Sequence, residues 1–185
     1  MAIHVSKRVS GEGWITFETD PYLTQSKKRV YQRCLPCLEG LLSQLKSGKP
    51  EIALGPAWSC WKVTAVFPDM EHCWSFLLRF EELFPQEYVC GKLGTSDPRR
   101  PTRVVVFHLD GLDLAEKLLP KVKEAAAATG GAPEVKLSRG CADPYEHLLG
   151  PWPEWQAVSP LRYPERVPAT LARLQVLLYG QPPAT

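Results

Sequence analysis

The stretch from Arg103 to Asp110, R-V-V-V-F-H-L-D, constrains the fold more than any other part of the chain. Three consecutive β-branched residues followed by a phenylalanine suit a strand buried on both faces, not one with a wet side. Such a strand belongs inside a sheet with cover on each side. The elements around it read in the order strand–helix–strand, strand–helix–strand.

The flanking elements follow from periodicity and punctuation. Ile3 to Val9 and Gly13 to Thr19 read as two strands joined through S-G-E-G, a glycine-rich turn suited to a tight hairpin. Val30, Cys34, Leu38, Leu41 and Leu45 share one helical stripe, interrupted by Pro36. That helix either starts near Ser26 and kinks or starts at Pro36, where a first-turn proline is tolerated. Glu51 to Leu54 and Trp58 to Phe67 read as strands. Pro68-Asp69 closes the second, with Asp69 placed to cap the next helix, whose apolar stripe is Cys73, Leu77, Phe80 and Phe84. Tyr88 to Leu93 reads as a strand before the loop G-T-S-D-P-R-R-P-T and the central strand. A helix capped by Asp110 or Asp113 carries Ala115, Leu118, Leu119, Val122, Ala125, Ala126 and Thr129. Pro120 should kink it or split it, because an interior proline costs roughly 3 kcal/mol. Val135 to Ser138 is the last short strand of this series.

From residue 58 to 138 this order resembles the ferredoxin-like βαββαβ arrangement. The expected architecture is thus α+β: a single domain with a ferredoxin-like core at about 58–138. An N-terminal β-hairpin plus helix (1–57) precedes it, and a Pro/Trp-rich C-terminal extension (139–185) ends in a helix at about Pro168 to Tyr179. The 18 prolines crowd the region after Pro144. So many fixed φ angles and missing donors predict an extended wrap over the surface there.

Composition narrows the function classes. At 44% hydrophobic and 23% charged the chain is ordinary globular material. A net charge of +2 does not by itself point to nucleic acid or membranes. No apolar run approaches the roughly 20 residues of a bilayer span, and M-A-I-H-V-S-K-R-V lacks the apolar core of a signal peptide. The expectation is a cytoplasmic protein that does not bind membranes. Its six cysteines, Cys34, Cys37, Cys60, Cys73, Cys90 and Cys141, are then expected as reduced and mostly buried thiols.

Several clusters carry chemistry on paper, each beside a plainer structural reading. Cys34-Leu35-Pro36-Cys37 at a helix start would place two thiols at the positive end of the helix, as redox chemistry or a metal requires. Cys34 also falls on the apolar stripe, where a thiol is simply core, and the motif stands alone. His108 and Asp110, two apart on a strand, share a face and could orient a general base. The plainer reading makes Asp110 a helix cap and His108 a half-buried, satisfied ring. Lys92, Arg99, Arg100 and Arg103 form a basic loop that could embrace a nucleic-acid backbone while Tyr88 and Phe107 stack bases. The ribonucleoprotein signature of such domains is missing, and charge runs are usually just solvated. Arg139, Cys141, Asp143, Tyr145 and Glu146 crowd the loop after the last strand. That loop could bind an anion or small ligand, since arginine forks onto carboxylate or phosphate, or its arginine could pair internally and pin the tail. Trp152 and Trp155 read as anchors holding the tail on the core.

No phosphate-cradling loop, zinc-protease motif, nucleophile elbow or dinucleotide fingerprint is present. The sequence names no cofactor and leaves enzymatic activity open. Its leading functional reading is a non-catalytic module for an unidentified ligand or protein partner. The alternatives are a nucleic-acid-binding protein using the sheet face and the 99–103 loop, and a thiol-redox or metal-dependent enzyme using Cys34 and Cys37.

Overall fold

A computed structural model of the chain describes residues 2–6, 13–95, 101–130, 133–140 and 142–180, without the side chains of 142 and 143. The hairpin turn at 10–12, the bulk of the loop at 96–100 and Cys141 therefore lie outside the described residues. The fold is mixed α+β. It divides into two compact units, Met1–Lys28 with Trp61–Ser138, and Arg29–Cys60 with Arg139–Thr185.

The first unit holds the larger sheet. Its strands are β1 (His4–Val5), β2 (Trp14–Glu18), β4 (Cys60–Phe67), β5 (Cys90–Gly94), β6 (Arg103–Asp110) and β7 (Glu134–Arg139), where β3 (Glu51–Ala53) belongs to the second unit. Among the described residues their order is β1-β2-β5-β6-β4-β7. β1–β2, β2–β5 and β5–β6 are antiparallel. In β4, Trp61, Val63, Ala65 and Phe67 are buried and the residues between them half-buried, the alternation of a strand with one core face. Helices α3 (Met70–Leu83) and α4 (Leu112–Thr129) pack on each other and on β6.

The core of this unit is aromatic. Phe107 of β6, 1% exposed, meets Phe17 edge-on at 5.3 Å, Phe80 at 5.2 Å and Phe76 at 6.0 Å. Gly91 stands opposite both Phe17 and Phe107 in the strand ladders. A Cβ there would lie 2.1 Å from the Val106 carbonyl oxygen and 2.5 Å from the Phe17 ring. Glycine at this position is what lets Phe17 lie across the strand. At the end of β2, Glu18 is fully buried. Its carboxylate accepts from the backbone N–H groups of Gln25 (3.0 Å) and Ser26 (2.8 Å), and from the Tyr88 hydroxyl (2.5 Å). The first two belong to α1 (Thr24–Arg29), so Glu18 supplies donors at a helix start with an acceptor.

The second unit is built on α2 (Leu35–Lys46), α5 (Ala142–Leu149) and α6 (Val167–Tyr179), with β3 paired antiparallel to β8 (Val158–Pro160). Its core gathers Leu41, Leu42, Leu45, Ile52, Leu54, Tyr145, Leu148, Trp155 and Leu174.

Several expectations require correction. Of the two readings of the first helix, the structure has the one that begins near Ser26: helical backbone runs from Thr24 through a π-helical turn at Val30–Cys34 into an α-helix that begins at Leu35 with Pro36 in its first turn. The strand expected from Trp58 begins at Cys60, because Gly55–Ser59 forms a 3-10 turn with its proline in the first positions. Tyr88 precedes β5 instead of opening it. The N-cap of α4 is Gly111 at φ +119°, neither Asp110 nor Asp113, and α4 runs unbroken through Pro120. Asp69 does cap α3, accepting from His72 N–H. The proline-rich tail is not merely an extended wrap. Pro144 falls in the first turn of α5, and Pro153, Pro164 and Pro168 fall at the first positions of two 3-10 turns and α6. The missing N–H is harmless at each of these places.

Two glycines give opposite predictions. Gly91→Ala forces a methyl onto backbone and should destabilise by about 3 kcal/mol. Gly40, inside α2 with nothing near its added Cβ, should gain about 0.5–1 kcal/mol as Gly40→Ala. Urea unfolding of both variants checks the pair.

Candidate functional site

The most distinctive polar arrangement lies in the second unit. The 3-10 turn Gly55–Ser59 presents Trp58, 36% exposed, at its end. The guanidinium of Arg139 lies over that indole, 3.5 Å from the ring centroid. Beside Trp58, Ser59 accepts a hydrogen bond at its Oγ from Nη2 of Arg33 (3.2 Å). Backbone geometry fixes the meeting: Gly140 donates to the Cys60 carbonyl at 2.6 Å, tying the residue after Arg139 to the residue after Ser59. Gly140 turns at φ +66°, where a Cβ would meet Trp155 at 3.4 Å. Burial lowers the pKa of the Arg139 guanidinium from its usual value. A cation stripped of part of its water gains more from an anion than a fully solvated one. One guanidinium group thus stacks on Trp58 and another is bonded to the adjacent Ser59, and a guanidinium is the group suited to a planar oxyanion.

Arg139 was legible as a candidate. Trp58, Ser59 and Arg33 were not, because the strand assigned to Trp58–Phe67 hid the turn. Gly55-Pro56 ahead of Trp58 was the available signal, since that dipeptide ends a strand.

Of the other candidates of the 139–146 loop, Tyr145 belongs to the core. Tyr145 is 1% exposed in the core, its ring 5.9 Å from Trp155 and its hydroxyl 3.1 Å from Sγ of Cys37. Glu146 is half-buried on α5, and its carbonyl accepts from Gly150 N–H. Cys141 and the Asp143 side chain lie outside the description. Trp155 is an internal anchor, donating from Nε1 to the Gly150 carbonyl at 2.8 Å, and Trp152 packs against the same core.

Cys34 is half-buried and Cys37 buried, one helical turn apart, and neither is disulfide-bonded. The helical backbone ahead of them removes the positive helix end on which thiolate stabilisation was argued. Among the described residues no group of three or more histidine, cysteine, aspartate or glutamate side chains could hold a metal.

His108 and Asp110 belong to the first unit, Cys34 and Arg139 to the second. His108 is half-buried, Asp110 exposed, and the His108 carbonyl accepts from the Cys90 thiol at 3.7 Å. They share the face of β6 opposite Phe107. Lys92 sits on that face of the sheet, with Nζ 3.9 Å from the centroid of the Trp14 ring. Arg103 donates to the Thr102 carbonyl, while Arg99 and Arg100 lie outside the described residues. The aromatics expected to stack bases are engaged elsewhere. Phe107 is in the core, and the Tyr88 hydroxyl is bonded to Glu18, with burial the main cause that raises its pKa. Trp14 is the indole that the sheet offers instead. No helix is long and apolar enough to cross a membrane among the described residues.

Burial also pushes the Cys73 thiol up to about 12, so it holds no useful thiolate at pH 8. A maleimide pulse at that pH, read by peptide mass spectrometry, should label Cys34 first among the described thiols. Cys37 and Cys73 should react only in denaturant. Labelling of Cys37 ahead of Cys34 in the native protein would contradict this arrangement.

Comparison of the chain with protein-family models, with curated proteins and with solved structures finds no match.

Proposed function

We propose that the chain is a non-catalytic binding module that recognises an oxyanion, a carboxylate or phosphate, at Arg139 and Arg33 beside Trp58. The observation that carries this reading is the Arg139–Trp58 stack with Arg33 held on the adjacent Ser59. Stacking fixes the plane of the guanidinium, so less side-chain entropy is lost when an anion binds. Nothing in this set is a nucleophile with a base beside it, which is why binding, not turnover, is the reading.

The fold reading fits a scaffold of that kind. Within the sheet order, β7-β4-β6-β5 is the sequence of neighbours expected of a ferredoxin-like plait, with the β1–β2 hairpin added beside β5. Such a plait serves many functions, so the order supports the architecture and leaves the ligand to the site.

Side-chain NMR of the Arg139 Nε–H group during titration with inorganic phosphate and with benzoate tests the proposal. The expected result is a saturable shift with millimolar affinity, as a small, partly solvated site allows. The shift of Arg33 should follow in parallel, and Arg139→Gln should abolish the Arg33 response without altering the circular dichroism spectrum. Unchanged arginine resonances throughout both titrations would refute the proposal.

One further observation favours a second reading. Lys92 over Trp14, on the sheet face away from Phe107, pairs a cation with a stacking ring as single-strand binders do. If that face binds nucleic acid, a labelled single-stranded RNA should bind at low salt and lose affinity steeply as salt rises. Lys92→Ala with Trp14→Ala should remove the binding, and an anisotropy signal that stays flat at low salt would end this reading.

A further inference from the structure

The sheet of the first unit ends on one side at β7, and among the described residues no strand pairs with the outer edge of β7. The opposite edge strand, β1, has only two residues, whereas β7 has six. A long outer strand is a template for another chain unless something blunts it. Alongside β7 lies a groove of about 260 Å³ lined by Lys123, Ala126 and Ala127 of α4 and by Pro133 and Val135. On the face of β7 away from that groove, Glu134 and Lys136 form an ion pair at 2.9 Å, with side chains 62% and 55% exposed.

We propose that β7 pairs antiparallel with β7 of a second copy of this chain, joining two sheets into one. The sequence E-V-K-L favours one register. Residues directly opposite one another on antiparallel strands share a face. A two-fold pairing that keeps both helix layers on the same side therefore matches residues of equal parity. With Lys136 opposite itself, like charges collide. With Val135 opposite itself, each Glu134 faces the second copy's Lys136, and the exposed intrachain pair becomes two interchain pairs. The same register lays the second copy's Val135 over the groove walled by Ala126, Ala127 and Pro133, covering apolar surface that a lone copy leaves open. The alternating charges thus disfavour the register with Lys136 opposite itself and favour this one, in which every charge of the pair meets its opposite.

Sedimentation equilibrium of the full chain, from micromolar to several hundred micromolar, tests the pairing with two variants. The wild type should associate to a dimer. Lys136→Glu, which sets Glu134 against glutamate in the second copy, should weaken dimerisation at least tenfold. Glu134→Lys combined with Lys136→Glu restores opposite charges across the two-fold and should restore the dimer. Both positions are exposed, and unchanged circular dichroism confirms that the variants fold. A wild type that stays monomeric throughout overturns the inference. So does a dimer that Lys136→Glu leaves unchanged, or one that the double exchange fails to recover.

Discussion

The packing of Phe107 against Phe17, Phe76 and Phe80 is the interaction on which the first unit rests. Each ring comes from a different position in the chain, so one cluster fixes β2, β6 and α3 together. Full burial of one phenylalanine contributes about 2–3 kcal/mol. Four such rings come to about 10 kcal/mol, comparable with the whole net stability of a domain. The cluster exists because Gly91 leaves space for Phe17 over β5. A single missing side chain in the ladder is thus what lets the hairpin β1–β2 join the sheet and extend it.

The same hairpin brings a buried charge with it. Glu18 follows Phe17 and is fully enclosed, yet three donors converge on its carboxylate. A buried carboxylate is tolerated only with such compensation. Here the compensation organises structure, since two donors start α1 and the third holds Tyr88. The second unit solves its own problem differently. Its many prolines sit where helices begin, and Tyr145 and Trp155 fill the core between them.

Local patterns made the central strand, the Asp69 cap and the apolar stripe of α3 at Cys73, Leu77 and Phe80 readable, while Phe76 of the same buried face was not named. Run length, capping chemistry and 3.6-residue spacing are each written within a few neighbouring residues. What escaped detection depends on distant partners. The strand at Glu51 to Leu54 was readable but its partner was not: β3 and β8 pair across most of the chain, and nothing in V-S-P announces a partner in E-I-A. Within the strand read at Gly13 to Thr19 nothing singles out Glu18, because its donors arrive from a later helix and from Tyr88. At the candidate site, Arg139 stood out as a chemical type in a loop. Its indole partner lay hidden in G-P-A-W-S, where the turn stops the strand and aims Trp58 at the guanidinium.

The functional account rests on the Arg139–Trp58 stack being a recognition point and not only a tail anchor. Diffraction from a crystal grown with selenate, an oxyanion whose selenium can be located by its anomalous signal, tests this directly. The account predicts a selenium peak with its oxygens within hydrogen-bond distance of the Arg139 and Arg33 guanidinium groups. An anomalous map with selenate bound elsewhere and no peak at these two arginines would contradict it.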